Sequence, residues 1–439
     1  MSDLRTVLSA ARSKVIPTAS DTERLRKVAE KVHAKVDAAV EGKPGITGVF
    51  LGGSYAKDTW LPRDVDIDVF VGFSPQVEEE RFERLGLAVG QEAVRGYKPG
   101  KKYAQHPYTE AVVDGFKVNI VPYYNVEPGD WRSAADRSVH HVVFVRENFD
   151  EEARTQVRLL KRFMKTVGVY GAEIENEGFS GYATEALIHK NKSFEATLRA
   201  FAEHRPGDKE YFSLLDPIDS NRDLAKAISR ESVARMVLAS RAFLERPRIE
   251  FFTKLIRVER PRLFKEVYAV AFRHKKLSED TLWGELKRSA RQVAKHVEDE
   301  GFKLARFGAA SSNETESAII LLPVVQELPE LEERLGPGVE LAEGSRSFAA
   351  KNKAKAKLVW VGEDGRLRLL RAREFTSLPV LLRSLTGPGV RDLGASKEVA
   401  DGIARSARVL HGTSLKREAT KKRWLKEGVS KLLSDDLGT

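Results

Sequence analysis

The sequence predicts an α+β fold in three successive blocks, and three observations carry that reading. Segments rich in β-branched and aromatic residues cluster within residues 47–121, as strands require. Residues 151–246 instead place apolar residues mainly at helical spacing. Beyond about residue 255 the two patterns mix again, so domain borders are expected near 145 and 255.

In order along the chain, residues 5–40 carry one run of helical periodicity that ends at Gly42-Lys43-Pro44. Residues 47–51 and 65–73 read as strands around a Gly52-Gly53 turn, and 77–97 as a helix stopped by Pro99-Gly100. Residues 108–113 and 116–121 flank Asp114-Gly115, a two-residue hairpin signal because both residues tolerate positive φ. A Pro/Gly loop at 127–130 leads to a helix near 149–167. The middle block gives helices over 154–167, 181–190, 194–204, 223–229 and 231–245. In the last block, 255–272 mixes strand and turn, 283–300 is an amphipathic helix, and 316–328 reads as a strand. Two further strands are expected over 359–374, around Glu363-Asp364-Gly365, while the Lys-Ala/Asn tract at 351–357 reads as a loop.

A chain of 439 residues suffices for two to four domains. With 41% hydrophobic and 31% charged residues it has the composition of a soluble globular protein. The longest apolar run, AIILLPVV at 318–325, is far shorter than the ~20 residues of a membrane span. The first residues, MSDLRTVLSAARSKVIP, lack a secretory apolar core and read as an ordinary helix. The absence of cysteine excludes disulfides, zinc–thiolate sites and cysteine nucleophiles, and a cytoplasmic location is expected. The net charge of +10 lies wholly in residues 351–439, with 20 Lys+Arg against 10 Asp+Glu; the first 350 residues balance at 54 against 54. A basic segment on a neutral body suits a polyanion, most simply nucleic acid.

The chemistry concentrates in GGSYAKDTWLPRDVDIDVFVGF. Asp66 and Asp68, two apart on a strand, point to one face. Two like charges side by side are costly unless they share a cation, and oxygen-only ligands suit a hard ion such as Mg2+. Gly53-Ser54 upstream supplies backbone N–H groups and a hydroxyl for a phosphate. A phosphate turn followed by paired carboxylates indicates metal-assisted phosphoryl or nucleotidyl transfer.

The whole G-S-x11-D-x-D-x-F arrangement resembles the signature of the DNA polymerase β nucleotidyltransferase superfamily. Five colinear stretches resemble the archaeal, class I CCA-adding enzymes: GGSYAKDTWLPRDVDIDVF, KYAQHPYTEAVVDGFKVNIVPYY, SAADRSVHH, VRLLKRFMKTVGVYGAEIENEGFSGYATEALI and LDPIDSNRDLAKAIS. The resemblance implies template-independent addition of C, C and A to the 3′ end of tRNA from CTP and ATP. In that reaction the tRNA 3′-hydroxyl attacks the α-phosphate and pyrophosphate leaves, with two Mg2+ ions stabilising the entering and leaving oxygens. It further implies a polymerase β-like catalytic head at 1–145, a helical neck at 146–255 and an α+β body and tail at 256–439.

Residue by residue, Asp66 and Asp68 match the first two metal ligands, and Gly53 and Ser54 the triphosphate turn, with Lys57 at a basic position just beyond. Either His140 or His141 matches a histidine at the nucleotide; a structural histidine is the alternative for each. Lys161 and Tyr170 match a triphosphate-contacting pair, though a solvated helix lysine and a packed turn aromatic are their ordinary readings. Arg222 matches an arginine that meets the incoming base, where its planar donors suit such readout. The bland alternative is an ion pair with Asp219 or Asp223. Phe179-Ser180-Gly181-Tyr182 with Glu185 reads as a helix start packed beneath the site.

One position breaks the pattern. The resemblance implies a third carboxylate, on the strand beside the D-x-D strand, and FKVNIVPYY places Asn119 there. Asn keeps the size and one oxygen but loses the charge and is the weaker ligand for a hard cation. Three explanations compete: an active-site variant, natural or engineered; another acid in its place, with Asp114 the nearest; or sufficiency of two carboxylates. The first is favoured, and on it Asn119→Asp raises nucleotide incorporation at least about tenfold. Asp114 is least favoured, because an odd offset turns it to the other face.

The basic C-terminal block is where the resemblance places the grip on the tRNA acceptor stem and TΨC arm, through backbone and shape. Lys416, Arg417, Lys421, Lys422 and Arg423 form its densest cluster, with Trp424 read as packed. Lys287 and Arg291, with Arg288 and Lys295, form a second stripe on the 283–300 helix. Poly(A) polymerase-like or oligoadenylate synthetase-like activity, and a degenerate RNA-binding protein, are the competing readings. The sequence leaves the oligomeric state open, a homodimer included.

Overall fold

The computed structural model describes residues 3–103, 105–205, 211–253 and 258–435. They divide into one unit built from the chain up to Val258 and another from Glu259–Ser434. The α+β class predicted from the sequence holds in both.

The helical run expected over 5–40 is two helices, α1 (Leu4–Val15) and α2 (Ala19–Val40). Pro17 has no N–H to continue α1 and forces Ile16 to be extended. Thr18 then caps α2: its hydroxyl accepts from Asp21 N at 3.1 Å, while the Asp21 carboxylate accepts from Thr18 N at 3.1 Å.

A five-stranded sheet follows, made of β1 (Ile46–Gly52), β2 (Asp66–Phe73), β3 (Gly100–Tyr103), β4 (Pro107–Val113) and β5 (Phe116–Tyr124). Its order is β1-β2-β5-β4-β3, with β2 and β5 parallel and the other pairs antiparallel. A one-turn helix, α3 (Gly53–Ala56), follows β1, and α4 (Glu79–Ala93) follows β2. Leu25, Val28, Val32 and Val36 of α2, with Phe82 and Val89 of α4, pack on Ile67, Val69, Val118 and Ile120. One face is thus covered by helices. Side chains of the opposite parity on β4 and β5, from Tyr108 to Val112 and from Lys117 to Val121, remain partly or fully open.

The helix α5 (Asp136–Asn148), not anticipated from the sequence, is fixed to the end of β5 by one buried carboxylate. Asp136 accepts from the backbone N–H of Tyr124, Arg132 and Ser133 at 2.8, 2.8 and 2.7 Å, and from Ser133 Oγ at 2.6 Å. Next come α6 (Glu151–Val167), α7 (Gly181–Asn191), α8 (Phe194–Ala202), α9 (Arg230–Glu245) and α10 (Glu250–Thr253). Phe163, Phe194, Phe243, Phe251 and Phe252 meet at their centre.

Residues 223–229, expected as helix, instead close a hairpin of β6 (Leu215–Asp216) and β7 (Asp219–Asp223) and continue as a 3-10 turn at Leu224–Ala227. The Asp223 carboxylate accepts from Leu214 N and Ala225 N at 2.9 and 2.8 Å, so it caps the turn rather than starting an α-helix.

The second unit has a four-stranded antiparallel sheet in the order Leu304–Ser311, Glu316–Pro323, Tyr268–Arg273, Arg408–His411. The amphipathic helix α11 (Glu279–Asp299) buries Leu282, Leu286, Val293 and Val297 against one face, and Leu415, Leu425 and Val429 pack on the other. The strand expected over 316–328 stops at Pro323, which cannot donate to the ladder. A three-stranded sheet joins Leu331–Gly338, Arg366–Ala372 and Ala356–Val361. The tract 351–357 is not simply a loop, since the helix Ala342–Asn352 ends in it and the strand Ala356–Val361 begins in it. Of the mixed segment expected at 255–272, residues 255–257 lie outside the described residues.

Candidate active site

Asp66 and Asp68 open β2 and alternate with buried Ile67, so both face the uncovered side of the sheet. The register sets Asp68 between Gly52 of β1 and Asn119 of β5. The chain then turns through Gly53 at φ +62°, in the left-handed region. A Cβ on Gly53 would lie 1.8 Å from Asp68 Oδ2, so only glycine lets the turn close over that carboxylate. Arg146 of α5 holds the turn from below by donating to Ala56 O at 2.9 Å, and Ser54 stands half-buried within it.

Asn119 Nδ2 donates to Asp68 Oδ1 at 2.9 Å, while its own Oδ1 is buried without a hydrogen-bond partner among the described residues. Burial, with the neighbouring Asp66 charge, holds the Asp68 carboxyl above its ordinary range, although the Asn119 amide opposes this. Asp66 faces the Lys117 ammonium at 2.8 Å. A carboxylate pushed up by burial, an orphaned buried oxygen and a second carboxylate leaning on a lysine together fit a site for a hard divalent cation. Asp114 is excluded from it, because its carboxylate pairs with Lys31 of α2, on the helix-covered side, at 2.8 Å.

Lys57 and Lys161 are brought together by a residue the sequence suggested only as packing. Glu185 of α7 is fully buried and accepts from Lys57 Nζ at 2.5 Å, from Lys161 Nζ at 3.3 Å and from Thr59 Oγ1 at 2.6 Å. Lys161 Nζ also donates to Thr59 O at 3.0 Å. Burial pushes Lys161 down to about 8 in spite of Glu185, whereas on Glu185 the two ammoniums outweigh burial and leave its carboxyl at about 2. Lys161 is therefore not the solvated helix lysine of the bland reading. Tyr170 follows the Gly168 helix end and is half-buried, with Lys165 Nζ 4.6 Å from its ring centre. Burial raises its hydroxyl well above the ordinary tyrosine value.

The two histidines diverge. His140 Nε2 lies 3.1 Å from Val126 O, and its ring meets Trp131 edge-on at 5.1 Å. His141 stacks on Tyr182 at 3.5 Å with Nε2 3.4 Å from Asp216 Oδ2, and burial lowers its pKa. Asp216 also accepts from Tyr182 OH at 2.9 Å, Ile218 N at 3.0 Å and Arg222 Nη1 at 3.1 Å. The bland alternative for Arg222 named Asp219 or Asp223 as its ion-pair partner. The structure corrects this to Asp216, because Asp219 pairs with Arg137 at 3.0 Å and Asp223 caps its turn. Arg222, Arg137, Trp131, Asn221 and Lys226 line an open cavity of about 420 Å³.

In the second unit Lys416, Arg417, Lys421 and Arg423 are exposed, as is Arg291 of α11. Lys422 departs from the expected phosphate-contact role. Its ammonium is held by Glu316 and Glu418 at 2.6 and 3.1 Å, which makes it a link within the unit. Lys287 is half-buried rather than fully solvated, and Trp424 packs against the core around Leu425.

Three family profiles match successive parts of the chain: a nucleotidyltransferase domain over residues 26–141, the second domain of tRNA nucleotidyltransferase over 155–253, and the C-terminal domain of the CCA-adding enzyme over 265–412. The CCA-adding enzyme of Pyrobaculum neutrophilum is 36% identical over 77% of this chain and 83% of its own length. That of Pyrobaculum islandicum is 35% identical over 89% and 95%. The chain belongs to the CCA-adding enzyme family. A third relative, the CCA-adding enzyme of Methanopyrus kandleri, is 33% identical over 94% of this chain and 93% of its own, so membership extends through both units. Among solved structures, E. coli MS115-1 CdnC with ATP is 18% identical and covers 57% of this chain and 95% of its own at a TM-score of 0.42.

The sequence pointed to Asp66, Asp68, Gly53, Lys57, Lys161 and Arg222, and missed Asp216, Lys117 and Thr59 as partners. Lys117 had a usable signal, since it is two residues before Asn119 on the same strand face. Asp216 had a local signal only toward Arg222, six residues on, because its other side-chain partners, His141 and Tyr182, come from α5 and α7, far away in the chain.

Proposed function

We propose that this chain adds C, C and A to the 3′ end of tRNA from CTP and ATP, releasing pyrophosphate. The observation that carries this is the Asp66–Asp68 pair facing the uncovered side of β2 under a turn that only glycine can make, in a chain of the CCA-adding family. Asp66, Asp68 and the Asn119 oxygen would hold Mg2+, which when bound screens charge between the attacking and leaving oxygens. The chain's own groups do the rest. Gly53 and Ser54 offer N–H and hydroxyl donors to the triphosphate, and Lys57 and Lys161, fixed by Glu185, give that region a positive potential. Arg222, steadied by Asp216 beside His141 and at the rim of the cavity, presents planar donors to the incoming base.

In this reading residues 1–145 are the catalytic head, 146–255 the neck, and 256–439 the body and tail that grip the acceptor stem and TΨC arm, in a cytoplasmic protein. Tyr170 and His140 border the nucleotide, and Lys416, Arg417, Lys421, Arg423 and Arg291 meet phosphates. The test offers each of the four nucleoside triphosphates to tRNAs ending before C, after C and after CC. The expected outcome is C, C, then A and a stop. Runs of A or U on any RNA would replace this reading with that of another RNA nucleotidyltransferase.

A further inference from the structure

Asn119 has a carboxylate on each side. In the parallel pair β2–β5 it faces Asp68, and in the antiparallel pair β4–β5 it faces Glu110. Directly opposed residues in a ladder share a face. One row across three strands therefore reads Asp68, Asn119, Glu110. Burial along β4 agrees, since Thr109, Ala111 and Val113 are buried while Tyr108, Glu110 and Val112 lie on the open side. Lys117 fixes the face independently, because its ammonium lies 2.8 Å from Asp66 and 3.8 Å from Glu110. A single cation already bridges the acids of β2 and β4 across the strand that carries Asn119.

We propose that Glu110 is the third acidic group of this active site, supplying the negative charge that Asn119 does not. The proposal rests on the metal-dependent reading above. Glu110 starts about one strand spacing, roughly 4.8 Å, from Asn119, and its side chain is one methylene longer than that of aspartate. It is only partly buried, at 26% exposure, and Lys102 on the neighbouring strand is its second cationic neighbour, at 3.8 Å. The three carboxylates do not now converge within 4.8 Å of one another. Lys117 stands between two of them, and a divalent cation held by Asp66 and Asp68 would take over the charge that this ammonium now balances. Asn119 then keeps its own part: its amide orients Asp68 and its free oxygen is a neutral ligand. Three acidic groups plus one neutral oxygen restore the charge of the expected set with the acid moved one strand over.

The experiment measures Mn2+ binding to the full chain in the presence of CTP and without tRNA, by electron paramagnetic resonance, with thermal melting as the fold control. Glu110→Gln is expected to weaken Mn2+ binding about tenfold or more, with the melting midpoint little changed. Adding Asn119→Asp to that variant is expected to restore binding to within about threefold of the parent. A residue that merely packs, or merely holds Lys117, leaves the gain from Asn119→Asp the same in the parent and in Glu110→Gln, an outcome that overturns the proposal, whereas a shared metal role makes that gain larger in Glu110→Gln. Parent-like Mn2+ binding in Glu110→Gln overturns the proposal, as does a loss that Asn119→Asp fails to recover. If Asp68→Asn abolishes binding while Glu110→Gln leaves it intact, only the role of Glu110 falls; if Asp68→Asn has no effect, the metal-site reading beneath it falls too.

Discussion

At the scale of single residues, Glu185 is the most consequential side chain that the sequence did not single out for its charge. Among the described residues it is the one carboxylate shared by Lys57 and Lys161, and all three are buried. Removing one member of a buried ionic network leaves its partners uncompensated and costs about 3–5 kcal/mol. Glu185→Gln is therefore expected to lower stability by about that amount in denaturant titration near neutral pH, and to weaken triphosphate binding. The sign with pH follows from its depressed carboxyl. With a folded value of about 2 against 4.5 unperturbed, its stabilisation is complete above about 4.5 and disappears as pH falls through about 2. The gap between parent and variant narrows over that interval, and a constant gap contradicts the ion-pair account. The legibility of residues followed distance in sequence. Asp66, Asp68 and Gly53 lie in one short motif, whereas the Glu185 network joins groups more than a hundred residues apart.

At the scale of elements, the β6–β7 hairpin is absent from the sequence reading, which starts a helix at its last residue, Asp223, yet the hairpin positions Arg222. Asp216, the last residue of β6, gathers His141, Tyr182 and Arg222 from α5, α7 and β7. Asp216→Asn keeps the shape but loses the charge that steadies the guanidinium. It is expected to raise KM for CTP and ATP about tenfold or more with a smaller change in kcat, which steady-state kinetics checks. Equal losses in kcat and kcat/KM would assign Asp216 to the chemistry instead. Helix borders show the same division. The stop at Pro17 and the Thr18–Asp21 capping box were present in the sequence but were overridden by a continuous apolar period. Thr18→Ala is expected to cost about 1 kcal/mol, read from the shift in a urea midpoint at unchanged slope. The edge strands Gly100–Tyr103 and Leu331–Gly338 escaped because half-exposed pairing segments carry little apolar pattern.

At the scale of the whole molecule, charge is the property that composition states best. The excess of 20 Lys+Arg over 10 Asp+Glu after residue 350 includes exposed Lys416, Arg417, Lys421 and Arg423. Binding to tRNA is expected to weaken steeply with salt, losing about tenfold or more between 50 and 200 mM, as a filter-binding series would measure. A slope near zero argues against phosphate contacts. Lys422→Ala should leave that slope nearly unchanged and lower stability instead, since Glu316 and Glu418 hold its ammonium.

The sequence by itself determined the chemistry and the family: a glycine turn, two carboxylates at strand spacing, and colinear stretches that extend along the chain. These are local patterns, and local patterns survive in one dimension. Only the tertiary structure decided which charges are neighbours. Counting outward from the Asp114-Gly115 turn pairs Glu110 with Asn119, but placing Asp68 on the other side of Asn119 required the parallel pairing of β2 with β5, a long-range choice that no local pattern encodes. Asp66 and Asp68 thus point to the reaction, and the strand order sets Glu110 beside Asn119, the position from which we propose that it supplies the missing charge.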